Sequence, residues 1–200
     1  MRKLVLLTML CCGLTTLAFA GVETFDGGSE DWNYGYGLST TSGNALWSDD
    51  GGNPGVHLSG PLSNLYKVWT QNTSGFGDVT GATMTVDTRI DGSGSIHGTA
   101  QLYIGRGNTY YISQAWNIRP DAEWTTHQFD INQSNFTLWP SGSSNSLGYV
   151  TEVPDEVGVF FGTELARGNG NFNIDNFGFI PEPATMFLLG IGGLLLQFER

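Results

Sequence analysis

Residues 172–179 read Phe172-Asn173-Ile174-Asp175-Asn176-Phe177-Gly178-Phe179, four large apolar side chains separated by small or polar ones. Alternation of this kind marks a half-buried β-strand, whose successive side chains point to opposite faces. The parity breaks midway, because Phe172 and Ile174 fall on even positions and Phe177 and Phe179 on odd ones. An unbroken strand would turn two of the four to water. The spacing therefore predicts a bulge at Asp175-Asn176 that returns all four to the core.

The same two-residue period recurs upstream. Met84, Val86 and Ile90 alternate with polar residues in "ATMTVDTRI", Thr125, His127, Phe129 and Ile131 share one face of "EWTTHQFDI", and Val157, Val159 and Phe161 share one face of "EVGVFFG". "TAQLYIG" and "TYYISQAW" form a predicted hairpin through Gly105-Arg106-Gly107-Asn108. Glycine is abundant, with 29 residues against 7 prolines, and no stretch keeps a helical apolar period for three turns. About ten short strands in residues 21–180 give an all-β domain, a two-sheet antiparallel sandwich.

Both ends depart from this pattern. Arg2 and Lys3 precede an apolar run from Leu4 to Leu14, and Ala18-Phe19-Ala20 places small residues before Gly21. Residues 1–20 read as a cleaved secretory signal peptide. A membrane anchor here would need about 20 apolar residues, more than the run provides. Cys11 and Cys12 lie inside the signal, so the mature chain would have no cysteine and no disulfide. At the other end, Ala184 to Phe198 is apolar apart from Thr185 and Gln197. As a helix it covers about 22 Å, short of a hydrocarbon core of about 30 Å, so it spans only where the bilayer thins.

Pro181-Glu182-Pro183-Ala184-Thr185 followed by that apolar segment resembles the PEP-CTERM sorting signal of Gram-negative bacteria. The resemblance covers residues 181–200. It implies that Pro181, Glu182 and Pro183 are the recognition element, that the hydrophobic helix rests temporarily in the inner membrane, and that an exosortase-type protease processes it. It also implies a cell-surface or extracellular product of a bacterium that makes exopolysaccharide. The chain departs from the family at its end: Gln197-Phe198-Glu199-Arg200 replaces the usual basic cluster, which weakens retention by the positive-inside rule.

Charge narrows the partners. Between Gly21 and Pro181 the only basic residues are Lys67, Arg89, Arg106, Arg119 and Arg167, and the whole chain carries a net charge of -11. Such a surface repels phosphate backbones, which excludes nucleic-acid binding as a function class, and attracts calcium.

The segments "VETFDGGSEDW", "WSDDGGNPGVHLSG" and "FNIDNFGF" resemble the jelly roll of carbohydrate-binding modules and galactose-binding-like domains, and "GGNPGVHLSG" with "GFGDVTGATMTVDTRI" is similar to the laminin IV type A domain. The jelly-roll likeness implies a structural calcium where first and last strands meet, held at Glu23, Asp26 and Asp175. The plainer reading makes these solvated turn residues.

Trp32, Tyr34 and Tyr36 alternate in "DWNYGYG", one strand face with three aromatic rings. Exposed, such rings stack on pyranose faces and bind carbohydrate; buried, they fill the core, which is the commoner use of aromatics. Nothing points to catalysis. His57, His97 and His127 are scattered, and neither a nucleophile elbow nor a phosphate-binding loop is present. Glu152 with Glu156 or Glu164 could pair for glycoside hydrolysis, but among so many acids the spacing is uninformative. The expectation is an exported, non-enzymatic sandwich that binds carbohydrate or associates with a polysaccharide matrix. The alternatives are a self-associating structural surface protein and, behind it, a secreted glycoside hydrolase.

Overall fold

The computed structural model describes residues 22–23, 25, 31–35, 43–53, 55–62, 67–93, 98–139, 145–161 and 169–182. The expected signal peptide (1–20) and the tail from Pro183 onward lie outside them. In chain order the first seven strands are β1 (Val22–Glu23), β2 (Trp32–Gly35), β3 (Gly43–Asn44), β4 (Leu46–Gly52), β5 (Gly55–Pro61), β6 (Lys67–Thr70) and β7 (Thr83–Ser93). The rest are β8 (Gly98–Arg106), β9 (Thr109–Ser113), β10 (Trp116–Ile118), β11 (Asp121–Asp130), β12 (Phe136–Leu138), β13 (Glu156–Phe161) and β14 (Asn169–Ile180). One helix, α1 (Leu147–Glu152), stands among the described residues, capped by Ser146 Oγ accepting from Tyr149 N.

The strands form two antiparallel sheets. The first runs β11-β7-β14-β5-β4, with β1 also pairing with β14; the second runs β12-β9-β8-β13-β6-β2-β3, with β10 also pairing with β8. β14 is the spine of the first sheet. β7 lies along one side of it, while β5 takes residues Asn171 to Ile174 and β1 takes Phe177 and Gly178 on the other.

The bulge lies where the alternation breaks. The register between β14 and β7 slips between Asp175 and Gly178, and Asn176 takes φ 48°. Phe172, Ile174, Phe177 and Phe179 are each at most 1% exposed. Burial of this kind contributes about 1.5–3 kcal/mol per side chain, so one extra residue keeps two aromatic anchors in the core. They meet Met84 and Val86 from β7, and Leu102, Val157, Val159 and Phe161 from the second sheet. β14 stops at Ile180, where Pro181 can no longer donate to the ladder.

The hairpin between β8 and β9 turns at Gly107-Asn108, with Gly107 at φ 60°. Its second arm departs from expectation: "TYYISQAW" is two strands, not one. Ser113 Oγ accepts from Leu102 N and donates to Gln114 O, replacing backbone pairing, and the chain re-enters as β10 against the start of β8. On β11, Ile131 is buried just past the strand, His127 and Phe129 are half-buried against Trp116, and Thr125 is exposed.

Candidate functional site: an aromatic trough on the second sheet

The aromatic stripe on β2 fills the core. Trp32 is 2% exposed, its ring 5.5 Å from Phe25 and 4.9 Å from Phe177, and Tyr34 packs half-buried on the same cluster. Tyr36 lies outside the described residues. Trp32 is thus no sugar platform, because its strand turns that face toward the first sheet.

The proposed calcium ligands meet only in part. β1 pairs with β14, Val22 opposite Gly178 and Glu23 opposite Phe177, so first and last strands do adjoin. Asp26 and the Glu23 side chain lie outside the described residues. Asp175 faces away from the core beside Asp87, and accepts from Asn53 N at 2.5 Å and Asn176 N at 2.7 Å. Asp87 accepts from Asn53 Nδ2, Asn176 Nδ2 and Thr126 Oγ1. These donors hold positive hydrogens where a cation would need oxygens, and among the described residues no three His, Cys, Asp or Glu gather to hold a metal. Burial raises the Asp175 pKa, and the Asp87 charge adds to it; the two backbone bonds and His57 pull it down.

A different set of rings gathers on the outer face of the second sheet. Trp69, Tyr103 and Phe160, each 2–3% exposed, form a cluster apart from the core, with Tyr110, Ile112 and Trp139 packed on it. The register explains the gathering. Trp69, Gly158, Tyr103 and Ile112 stand in one row across β6, β13, β8 and β9. Lys67, Phe160 and Gln101 form the next, and Glu156, Gly105 and Tyr110 another. The glycines make room: a Cβ on Gly105 would lie 2.6 Å from the Tyr110 ring. Trp139 is the wall. Its N–H bonds to Tyr110 O on β9, yet its ring sits 4.4 Å from Phe160 on β13, two strand spacings or about 9.6 Å away. Its side chain therefore leans across the face and, with Tyr110, borders a shallow aromatic trough over the closed cluster.

An ion pair lies in the floor. Lys67 Nζ bonds Glu156 Oε1, sits 3.9 Å from the centre of the Trp69 ring and 5.6 Å from that of Tyr103. Tyr103 OH donates to the same oxygen at 2.8 Å. Desolvation lowers the Lys67 pKa despite the Glu156 bond and charge, and desolvation with the Glu156 charge raises Tyr103 well above its ordinary value. Tyr110 is raised by burial and by Glu156 and Asp155, which keeps it a protonated donor. Glu156 is therefore held by Lys67 and Tyr103; Glu152 is exposed on α1, and Glu164 lies outside the described residues.

Trp69, Tyr103 and Phe160 are packed closed, so the surface open to a ligand is that of the half-buried Tyr110 and Trp139 rings above them. Two such rings with a hydroxyl and an indole N–H suit a neutral ring that has both an apolar face and hydroxyls. Sequence reading alone missed this site. The available signal was adjacency: Val68-Trp69, Leu102-Tyr103-Ile104 and Phe160-Phe161 are neighbouring apolar residues within strands, so some of them must face away from the core.

No family model matches the chain, and no curated protein matches it. Among solved structures it is similar to the family 11 carbohydrate-binding module of a cellulosomal cellulase of Clostridium thermocellum, at 14% identity over 82% of this chain and 96% of that one, with a TM-score of 0.52. A xylan-binding domain of family 22 gives a TM-score of 0.48 at 16% identity, over 82% and 96% of the two chains. A Clostridium thermocellum xylanase fragment gives 0.48 at 10% identity, over 82% of this chain and 28% of that one. The fold is an all-β jelly-roll sandwich, the architecture of the family 11 module; identity this low speaks for fold alone.

Proposed function

We propose that the protein is an exported, non-catalytic carbohydrate-binding sandwich that holds a polysaccharide chain in the trough of the second sheet. The observation that carries this reading is the pair of half-buried rings, Tyr110 and Trp139, held by the closed Trp69, Tyr103 and Phe160 cluster on the sheet face that does not touch the core. Its likeness in fold to a carbohydrate-binding module supports glycan as the ligand class. In the same proposal the Pro181-Glu182-Pro183 motif hands the tail to an exosortase-type protease after transient residence in the inner membrane, and the ectodomain works at the cell surface or in an exopolysaccharide matrix.

Affinity electrophoresis of the full chain through gels cast with mixed-linkage β-glucan, xylan or alginate tests the binding. Retardation in a neutral polysaccharide is expected, with loss of at least tenfold in affinity for Trp139→Ala and Tyr110→Ala while near-UV circular dichroism stays native. Equal migration in every gel, or unchanged retardation of both variants, would sink the reading. A structural surface protein is the alternative favoured by one feature, the first-sheet edge strand β4, whose Leu46 and Trp47 are 59% and 44% exposed. Light scattering that shows oligomers abolished by Leu46→Lys would favour it.

A further inference from the structure

The outer face of the first sheet carries a groove that the trough does not explain. Ile174 pairs with Leu58, both buried in the core, so Asn173 and Ser59 beside them point away from it. Arg89, Asn173, Ser59 and Leu46 form one row across β7, β14, β5 and β4, about 14 Å at ordinary strand spacing. With His57, Asp91 and Asn171 they line an open groove of ≈ 440 Å³. An antiparallel sheet facing only water ordinarily carries long solvated side chains. Short amides and hydroxyls here leave a channel instead.

The channel is built rigidly. Arg89 Nη1 donates to Gly51 O at 2.6 Å and Nη2 to Asp91 Oδ2 at 3.1 Å, while Asn173 Nδ2 donates to Asp91 at 2.7 Å. Trp124 lies over the Arg89 guanidinium at 4.9 Å and ties its indole N–H to the same Gly51 O, so the β4–β5 hairpin forms one wall. The Arg89 and Asp91 charges cancel. The Ser59 hydroxyl and Asn171 amide make no hydrogen bond within the described residues, and both open on the groove. Fixed partners on the walls and unengaged donor–acceptor groups on the floor suit a ligand rich in hydroxyls and without net charge.

We infer that this groove is a second binding site for a neutral glycan chain, which makes the module bivalent; the choice of glycan rests on the function proposed above. The two sites occupy opposite faces of a sandwich whose sheets pack about 10 Å apart, so one short oligosaccharide cannot fill both. A long polysaccharide would instead be cross-linked.

Titration calorimetry of the full chain with cellohexaose, xylohexaose and mannohexaose tests this. Two equivalents per chain are expected, falling to one in Asn171→Trp, which blocks the groove from an exposed position, and to one in Trp139→Ala. Ser59→Ala, a smaller change, weakens the groove alone by about fivefold. Turbidity with long polymer appears for the wild type and vanishes in either blocking variant. One equivalent that Asn171→Trp and Ser59→Ala leave untouched overturns the inference and spares the trough. One equivalent lost in Asn171→Trp but kept in Trp139→Ala upholds the groove and removes the trough. No heat with any of the three sugars overturns both.

Discussion

Asn176 holds a backbone turn and two carboxylates together. At φ 48° it occupies the left-handed region, tolerable for asparagine and costly for most residues, and its Nδ2 bonds Asp87 Oδ2 at 2.7 Å and the carbonyl of Asn53. Asn176→Gly keeps the turn and loses the bonds, at an expected cost of about 1.5–3 kcal/mol for a bond to a charged group. Asn176→Ala loses both and should cost about 1 kcal/mol more; urea denaturation of the two variants reads the difference. Lys67 and Glu156 set up a second comparison. Removing one partner strands the other charge among rings, so Lys67→Met alone should destabilise by about 3–5 kcal/mol, whereas Lys67→Met with Glu156→Leu should recover most of the loss. A double variant as unstable as the single would show that the ion pair itself is required. Gly105→Ala connects stability to binding: with a Cβ 2.6 Å from the Tyr110 ring, the ring must swing out of the trough, and glycan affinity should fall more than the melting temperature.

At the scale of strands, β10 and β11 meet through His127, whose ring stacks on Trp116 at 4.2 Å and shares a hydrogen bond with Thr88 Oγ1 at 3.0 Å. Burial lowers its pKa from 6.5 to about 4, against the pull of the Asp87 charge. Between those values the unfolded chain binds more protons than the folded one. This contribution is therefore complete above about pH 6.5 and is lost as pH falls toward about 4. The ring is partly open to water, so the effect is about 1 kcal/mol. His127→Phe keeps the stack and should flatten the decline of melting temperature in that window; an unchanged slope would assign the decline to other groups. Asp175, raised by burial, works in the opposite sense. These strands also show what a sequence makes visible. β13 and β14 could be read because alternation is local: Val157, Val159 and Phe161, or the Phe172 to Phe179 run with its parity slip, declare their shared face without knowledge of their neighbours. The break between β9 and β10 could not, because it depends on Ser113 reaching Leu102 on another strand.

For the molecule as a whole, the sandwich could be anticipated and the site could not. Trp69, Tyr103, Tyr110, Trp139 and Phe160 come from segments spread over 92 positions, and which way each ring points depends on sheet, register and bulge. The stripe Trp32-Tyr34-Tyr36 carried the stronger local signal, yet β2 turns Trp32 inward. On the proposed export route, Glu182→Ala should leave the folded domain intact and abolish the shortened, released form on immunoblots of cell fractions; release at the wild-type rate would remove the sorting motif from the account.

The spine position of β14 has a bearing on how the molecule is made. Its neighbours β1, β5 and β7 are synthesised long before it, and none can close the first sheet until residues 169–180 have left the ribosome. Distant pairings of this sort are slow to form. On the export route proposed above, this delay favours passage through a narrow translocation pore as an open coil, with the sandwich closing only on the far side.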